Sequence, residues 1–441
     1  MTTSLTELTW QSFSLRGVEE KPRPDEIDWR DEARTTELSH LTVALASAIL
    51  RTPMDPTQSQ ADQKPLRMIA MLPSIGQPRH GKRLDTLAQR GFETTALAFE
   101  RKYHSGRVPN CPIVVVGKAV ERRHAGRLLA LIKAWPEVRR RIRGCDIVYA
   151  FGTDMALLAV MGRLFGKTSI VMEISDIVPI QVNASWRGRI FRIVDKWVTS
   201  RCQLIVTTTP KFLSEYYQRR LGVHVPGIVL ENKVDAAFGT SVRQDAQSRT
   251  PSSTDPIRIG YFGLIGCPWS VEVLKTLVTR HPNRFEVCFA GYRWPTVDLD
   301  RYLATTPNFL YSGEFKSPRD LPKIYGEVDV TWVCYPPIGP SDWNLRWARP
   351  NRFYESCLFC VPVVSREGSC DSVDVARFKI GLVMDKVAVQ EAADVLATHL
   401  THENLAQWRE NMRSVPEDVY QYTTEFDRLA SLMRALVHLH H

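Results

Sequence analysis

No stretch of the 441-residue sequence approaches the roughly 18 consecutive apolar residues of a membrane-spanning helix; the candidate Leu41 to Leu50 holds only ten, with Thr42 and Ser47 among them. The opening MTTSLTELTWQSF has no basic region followed by an apolar core, so no secretory signal is expected and the chain is assigned to the cytoplasm. Cys-x-x-Cys pairs are missing too. Nine cysteines, an odd number, include Cys145, Cys202, Cys288, Cys334 and Cys357 in apolar segments, a pattern of buried thiols in a reducing compartment rather than a zinc site. Asp298-Leu299-Asp300 stands at the start of a helical stretch and not at the end of an apolar strand. Its carboxylates therefore suit a helix N-terminus, and no metal is expected. His438, His440 and His441 close the chain without evident partners.

Charge of one sign is abundant in one place. The formal net charge is +9, and between Lys118 and Arg143 nine Lys or Arg face only Glu121 and Glu137. Leu128, Leu129, Leu131, Ile132, Trp135, Val138 and Ile142 recur there at helical spacing, so residues 118–143 form a basic amphipathic helix or helix pair. Stacking aromatics are not interleaved with the basic residues, which argues against nucleic acid. A solvated helix face and a surface for anionic lipid remain the two readings, each Lys or Arg near such a membrane being worth about 1 kcal/mol.

A hydrophobic content of 44% with 24% charged residues is that of a globular protein, and 441 residues exceed one ordinary core. Residues 1–66, with Pro22, Pro24, Pro53 and Pro56, read as an irregular extension. From Arg67, the buried strands RMIAML, TTALAF, PIVVVG, DIVYAF, SIVMEI and LIVTTT alternate with helical stretches, the signature of a parallel doubly wound sheet over residues 67–232. Residues 233–256 end in a Ser, Thr and Pro-rich break. A second series (IRIGYFG, FEVCFAG, FLYSG, VDVTWVCY, VPVVS, KIGLVM) fills 257–412, and a helical tail occupies 413–441. Two successive series predict an α/β protein of two Rossmann-like lobes whose strand C-termini face a central cleft.

Residues 344–364, NLRWARPNRFYESCLFCVPVV, carry the densest local signal. Pro350 suits the first turn of an amphipathic helix; Phe353, Leu358 and Phe359 can face a core while Asn351, Arg352 and Glu355 face a cleft. A helix N-terminus beside Arg346, Arg349 and Arg352 suits an anion. The string Pro350-Asn351-Arg352-Phe353-Tyr354-Glu355, followed by Cys360-Val361-Pro362-Val363-Val364, resembles the P-N-K-x-x-E and G-x-P-V segments of family-4-like glycosyltransferases of the GT-B fold. The resemblance implies that Glu355 contacts a nucleotide ribose and Arg352 lies near the diphosphate. It also implies a tail crossing back onto the first lobe. Cys360 replaces the family's usual glycine, and Trp347 replaces the first glutamate of its E-x7-E pattern. That loss is similar to the branch that makes polysaccharides and keeps an upstream Asn, here Asn344.

Other candidates follow from position. Gly263 and Gly266 directly follow the first strand of the second lobe, where close backbone can hold a diphosphate, and a simple tight turn is the alternative. The loop lacks the family's basic pair, so Arg293, Arg346, Arg349 or Arg352 is expected to supply the charge. Tyr335 at a strand end and Ser369 after Gly368 complete the expected donor side. In the first lobe, Asp154, Glu173 and Asp176 follow buried strands and are the candidate catalytic carboxylates, with helix N-capping as the structural alternative for the two aspartates. Their segments resemble the family's H-x-H-D and Y-E-x-H-D without the histidines, Ser175 standing at the second. Gly76, Arg79 and His80 resemble the acceptor-side loop.

The resemblance implies transfer from a nucleoside-diphosphate sugar, a UDP-sugar, to a glycan or lipid-linked glycan, with no cofactor and no metal and with retention of anomeric configuration. An inverting relative would need a carboxylate base, Asp176 or Asp154. A nucleotide-sugar epimerase of the same fold and a non-catalytic nucleotide-sugar or polysaccharide binder are the rival readings. Location on the inner face of the cytoplasmic membrane follows if residues 118–143 bind lipid.

Overall fold

The computed structural model describes residues 65–100, 108–118, 124–163, 166–245, 255–336, 338–339 and 342–438. Residues 1–64 of the expected extension, 246–254 of the expected break and the final His440 and His441 lie outside the described residues. Among the described residues no helix is long and apolar enough to cross a membrane.

Two parallel sheets form from the two alternating series. The first comprises β1 (Leu66–Leu72), β2 (Phe92–Glu100), β3 (Ile113–Lys118), β4 (Ile147–Phe151), β5 (Ser169–Ile174), β6 (Leu204–Thr207) and β7 (Gly227–Val229), ordered β3-β2-β1-β4-β5-β6-β7. The second comprises β8 (Ile257–Ile265), β9 (Phe285–Arg293), β10 (Phe309–Tyr311), β11 (Val330–Trp332), β12 (Val363–Arg366) and β13 (Gly381–Met384), ordered β10-β9-β8-β11-β12-β13. Central strands β4 and β5 are buried at every residue, which is why their sequences run apolar without alternation. In each sheet the order reverses beside the first strand, between β1 and β4 and between β8 and β11. A crevice opens at the strand C-termini at such a reversal, and ligands of doubly wound proteins bind there.

Helices cover both faces of each sheet. On one face of the first sheet, Ile69, Met71, Leu97 and Phe99 meet Ala134 and Val138 of the His124–Ile142 helix, Met155 and Ala159 of the Thr153–Arg163 helix and Val198 of the Trp186–Thr199 helix. On the other, Met68, Ala70 and Leu72 meet Leu84 and Leu87 of the Pro78–Ala88 helix together with Phe426, Leu429, Met433 and Leu436 of the terminal Glu425–His438 helix. The end of the chain thus returns to the first sheet. It passes beside the outgoing connection: Val234 N donates to the Tyr420 carbonyl at 2.8 Å and Tyr422 N to the Val234 carbonyl at 3.0 Å.

The Asn351–Phe359 helix buries Phe353, Tyr354, Cys357, Leu358 and Phe359 against the second sheet, each large side chain contributing about 1.5–3 kcal/mol relative to exposure. It ends at Cys360, whose φ of 52° lies in the left-handed region where helices usually place glycine. A β-carbon there carries a conformational penalty of about 1–2 kcal/mol.

Candidate functional site

The crevice of the second sheet is bridged by one side chain. Arg352, in the first turn of the Asn351–Phe359 helix, donates from Nη1 to the Trp332 carbonyl of β11 at 3.0 Å. Its guanidinium lies 5.2 Å from the Tyr261 ring of β8 and 5.9 Å from the Tyr335 ring beyond β11, so it spans the strand ends on both sides of the reversal. Burial opposes its charge, but Tyr335 and Tyr261 outweigh that and hold its pKa above the ordinary value. Gly263, expected just after the first strand of the second lobe, lies within β8 paired with Gly291 because the strand runs on to Ile265; it adopts φ 91°, and no atom stands within 4 Å of where its β-carbon would be, so the backbone faces open space. On β9, a β-carbon on Gly291 would fall 2.0 Å from the Gly263 carbonyl oxygen, so that glycine is required for the approach of the two strands. Gly266 closes the loop under Trp294, whose Cβ would stand 2.9 Å from an added β-carbon.

One turn on, Glu355 points to the cleft between the lobes. Its Oε2 accepts from the Tyr325 hydroxyl at 2.8 Å, and Tyr325 is fixed by stacking on Phe359 at 5.0 Å and 15°. Burial raises the Glu355 pKa, against the Tyr325 hydrogen bond and the nearby charges of Lys82 and Arg352. Asn351 and Glu355 form one wall of a pocket whose other wall is Arg79 and Lys82 of the Pro78–Ala88 helix, with Lys233 and Asp235 of the connecting segment between them. Lys82 donates from Nζ to the Lys233 carbonyl. Burial lowers its pKa to about 7, aided by Arg83 and Arg79 and opposed by Asp235 and Glu355. An ammonium poised near neutrality, facing a buried carboxyl across a cleft, responds strongly to any anion placed between them. Sequence reading missed Lys82 because GKRLDTLA looks like an ordinary amphipathic helix.

The other expected donor residues are distributed differently. Tyr335 stands with Arg352, which opposes the rise that burial causes in its hydroxyl pKa. Arg349 is engaged: Nη2 donates to Asp374 Oδ2 at 2.6 Å, and Nη1 lies 3.9 Å from Glu231 Oε1. Arg293 pairs with Asp300 and stacks on Tyr311 at 4.2 Å. Asp298 accepts from Arg301 N at the start of its helix. Arg346 is exposed. Asn344 reaches into the first lobe, where its Oδ1 accepts from Ile177 N at 2.7 Å, while neighbouring Trp343 and Trp347 pack on the first-lobe core. Ser369 is buried and caps the Cys370–Phe378 helix, its hydroxyl donating to the Arg366 carbonyl at 2.7 Å.

The three first-lobe carboxylates also part company. Glu173 is buried in β5, where it meets Arg83 Nε at 3.2 Å and accepts from the Tyr149 hydroxyl at 2.6 Å. Asp154 pairs with Arg127 of the neighbouring helix. Asp176 has a side chain 54% exposed and lies 3.9 Å from Arg79, whose own side chain reaches the pocket. The His80 ring lies 4.3 Å from the ring of Phe151 at the end of β4, tilted by 45°, and Gly76 turns the preceding loop at φ 84°. In the basic segment, Arg140 and Arg141 both bind Glu137 and hold its carboxyl pKa down at about 2, while Arg139 lies 5.4 Å from the Trp135 ring.

No protein-family model matches the chain. It is 27% identical over 344 residues to the succinoglycan biosynthesis protein ExoL of Rhizobium meliloti (strain 1021), covering 75% of this chain and 84% of that protein. Among solved structures, sucrose-phosphate synthase of Thermosynechococcus elongatus superposes with a TM-score of 0.61 at 13% identity, over 85% of this chain and all of the other. HepE of Anabaena in complex with UDP gives 0.59 at 13% identity over 84% of this chain and 100% of HepE. At such identity the likeness is one of architecture, and with two doubly wound sheets meeting at a cleft it establishes that the chain has the GT-B fold.

Proposed function

We propose that this chain is a glycosyltransferase of polysaccharide biosynthesis, transferring a sugar from a UDP-sugar to a glycan acceptor without a metal ion. The observation that carries the reading is the pairing of Arg352 and Glu355 on one helix, the first across the second-sheet crevice and the second in the cleft opposite Lys82. Arg352 and the backbone from Gly263, near the end of β8, to Gly266 would take the diphosphate; Asn351 and Glu355 would take the ribose and adjoining atoms. The relatedness to a succinoglycan biosynthesis protein and the UDP-bound neighbour support the substrate classes. Transfer breaks the bond between the sugar C1 and the diphosphate oxygen and joins C1 to an acceptor hydroxyl oxygen. In the retaining course the leaving phosphate accepts the acceptor's proton, which suits a first lobe whose Glu173 is committed to Arg83 and Asp154 to Arg127. The basic face of the His124–Ile142 helix is read as an electrostatic contact for an anionic membrane carrying a lipid-linked acceptor, on the cytoplasmic side.

Calorimetric titration with UDP, with and without EDTA, followed by NMR of the product formed from UDP-sugars, tests this reading. Binding unaffected by EDTA and a retained product are expected. Asp176→Asn should slow turnover by much less than the roughly 10²- to 10⁴-fold loss of a general base. An inverted product with a large Asp176→Asn effect would assign that carboxylate as base instead, and absence of UDP binding would overturn the assignment.

Lys82 gives a pH signature. Below pH about 7 it already carries its proton in the free protein; above that, a bound diphosphate must draw the proton in, so binding becomes coupled to proton uptake. Affinity for UDP should therefore fall by up to about tenfold per pH unit above pH 7, until the raised pKa of the complex is passed. Lys82→Met should flatten that slope. An unchanged slope in the variant would place the titration elsewhere.

A further inference from the structure

The Trp186–Thr199 helix exposes large apolar side chains on its outer face: Trp186 is 67% exposed, Ile190 53%, Ile193 69% and Trp197 41%. Spaced at i, i+4, i+7 and i+11, they form a single stripe. Fraying does not account for it, since the inner face is firmly held. Buried Asp195 accepts from the Thr153 and Tyr216 hydroxyls at 2.9 and 2.7 Å and from Gln181 Nε2 at 3.0 Å. Arg192 ties the helix to the Gln181 and Asn183 carbonyls, and Ser185 caps its start.

The surroundings of the stripe identify what would cover it. Asp195 is the one acidic residue between Trp186 and Arg201, and it faces inward. Arg187, Arg189, Lys196 and Arg201 border the stripe in exposed positions, with Arg187 over Trp186 at 5.3 Å and Arg201 over Trp197 at 4.0 Å. Indole rings at the two ends of an aliphatic stripe, flanked by cations, match the boundary between headgroups and acyl chains of an anionic bilayer. The adjoining Thr153–Arg163 helix also exposes Met161, and the His124–Ile142 helix packed against that one exposes Leu129 and Ile132.

We infer that the Trp186–Thr199 helix docks the protein on an anionic bilayer, lying in the membrane plane with Trp186, Ile190, Ile193 and Trp197 at the acyl boundary. The helix belongs to the lobe that carries Arg79 and Asp176, so docking places that lobe against the lipid surface. The further consequence, that the acceptor is carried on a membrane lipid, rests on the glycosyltransferase reading; the docking itself does not.

Flotation with vesicles of phosphatidylcholine alone or with phosphatidylglycerol tests the docking, using the whole chain, the variant W186S/I190S/I193S/W197S and the single variant Ile193→Glu. Binding of the native protein to the anionic vesicles is expected, with quenching of tryptophan fluorescence by brominated acyl chains. Both variants should bind at least tenfold more weakly and lose that quenching while retaining UDP affinity. Should the fourfold variant misfold, Ile193→Glu at a 69% exposed position still decides the matter. Undiminished vesicle binding by the variants would overturn the insertion, leaving charge alone as the cause. A native dimer in light scattering that the variants abolish, without vesicle binding, would assign the stripe to a second copy of the chain. Loss of UDP binding in the native protein would sink the proposed activity and leave the vesicle result standing.

Discussion

Replacing Arg83 by Met is expected to cost the folded protein about 3–5 kcal/mol, the range for removing one partner of a buried ion pair. Arg83 is wholly buried, and its guanidinium joins Glu173 of β5 to the Tyr422 hydroxyl and to the Leu230 and Glu231 carbonyls, at 3.2 Å for Glu173 and 2.6 Å and 3.1 Å for the two carbonyls. One side chain thus binds the first sheet, the outgoing connection and the returning tail. Without it, the Glu173 carboxylate keeps the Tyr149 hydroxyl but loses its counter-charge in a dry interior. Urea denaturation gives the cost directly. Adding Glu173→Gln to the variant should restore part of the loss, because a neutral amide is far less costly to bury than an unpaired carboxylate. A single variant within about 1 kcal/mol of the native protein would show that the pair adds little to folding.

The second large effect is expected at the donor site, where Arg352→Ala and Glu355→Ala should weaken different parts of one ligand. Loss of the Arg352 guanidinium should cost about 1.5–3 kcal/mol in UDP binding, the range for hydrogen bonds to charged groups, which is roughly 10- to 150-fold in affinity. Glu355→Ala should cost about 1–3 kcal/mol through unmet hydroxyls. The two are separated by ligand. With uridine in place of UDP the Arg352→Ala penalty should vanish while the Glu355→Ala penalty persists. Equal penalties on both ligands would mean that Arg352 supports the strand ends through Trp332 rather than meeting phosphate.

The legible parts of this protein were those that repeat locally. Apolar runs such as IVYAF and SIVMEI announce central parallel strands because burial on both faces leaves no polar position, and two such series predict two sheets. The helix that carries Arg352 and Glu355 was legible too, because Pro350 marks its start and Phe353, Leu358 and Phe359 mark its buried face. What escaped were roles fixed by partners far along the chain. Arg83 finds Tyr422 across 339 residues, and no periodicity marks such a pairing. Arg349 has the composition of an anion ligand, yet Asp374 and Glu231 engage it. Asn344, expected beside the donor, instead binds Ile177 N across the cleft. The stripe on the Trp186–Thr199 helix was equally hidden, because WRGRIFRIVDKW has two plausible apolar faces until packing decides which one turns outward.

The return of the chain to its starting sheet has a practical consequence for dissecting the molecule. Phe426, Leu429, Met433 and Leu436 cover a sheet face that includes β1, β4 and β5, and β5, which ends at Ile174, lies about 250 residues earlier in the chain. A fragment cut after the first sheet would leave Met68, Ala70 and Leu72 without that cover, a bare apolar surface prone to self-association. The two halves are separate as sheets but interdependent as folding units. Supplying the terminal helix in trans, or joining it by circular permutation ahead of β1, is the way to obtain the first half as a soluble piece.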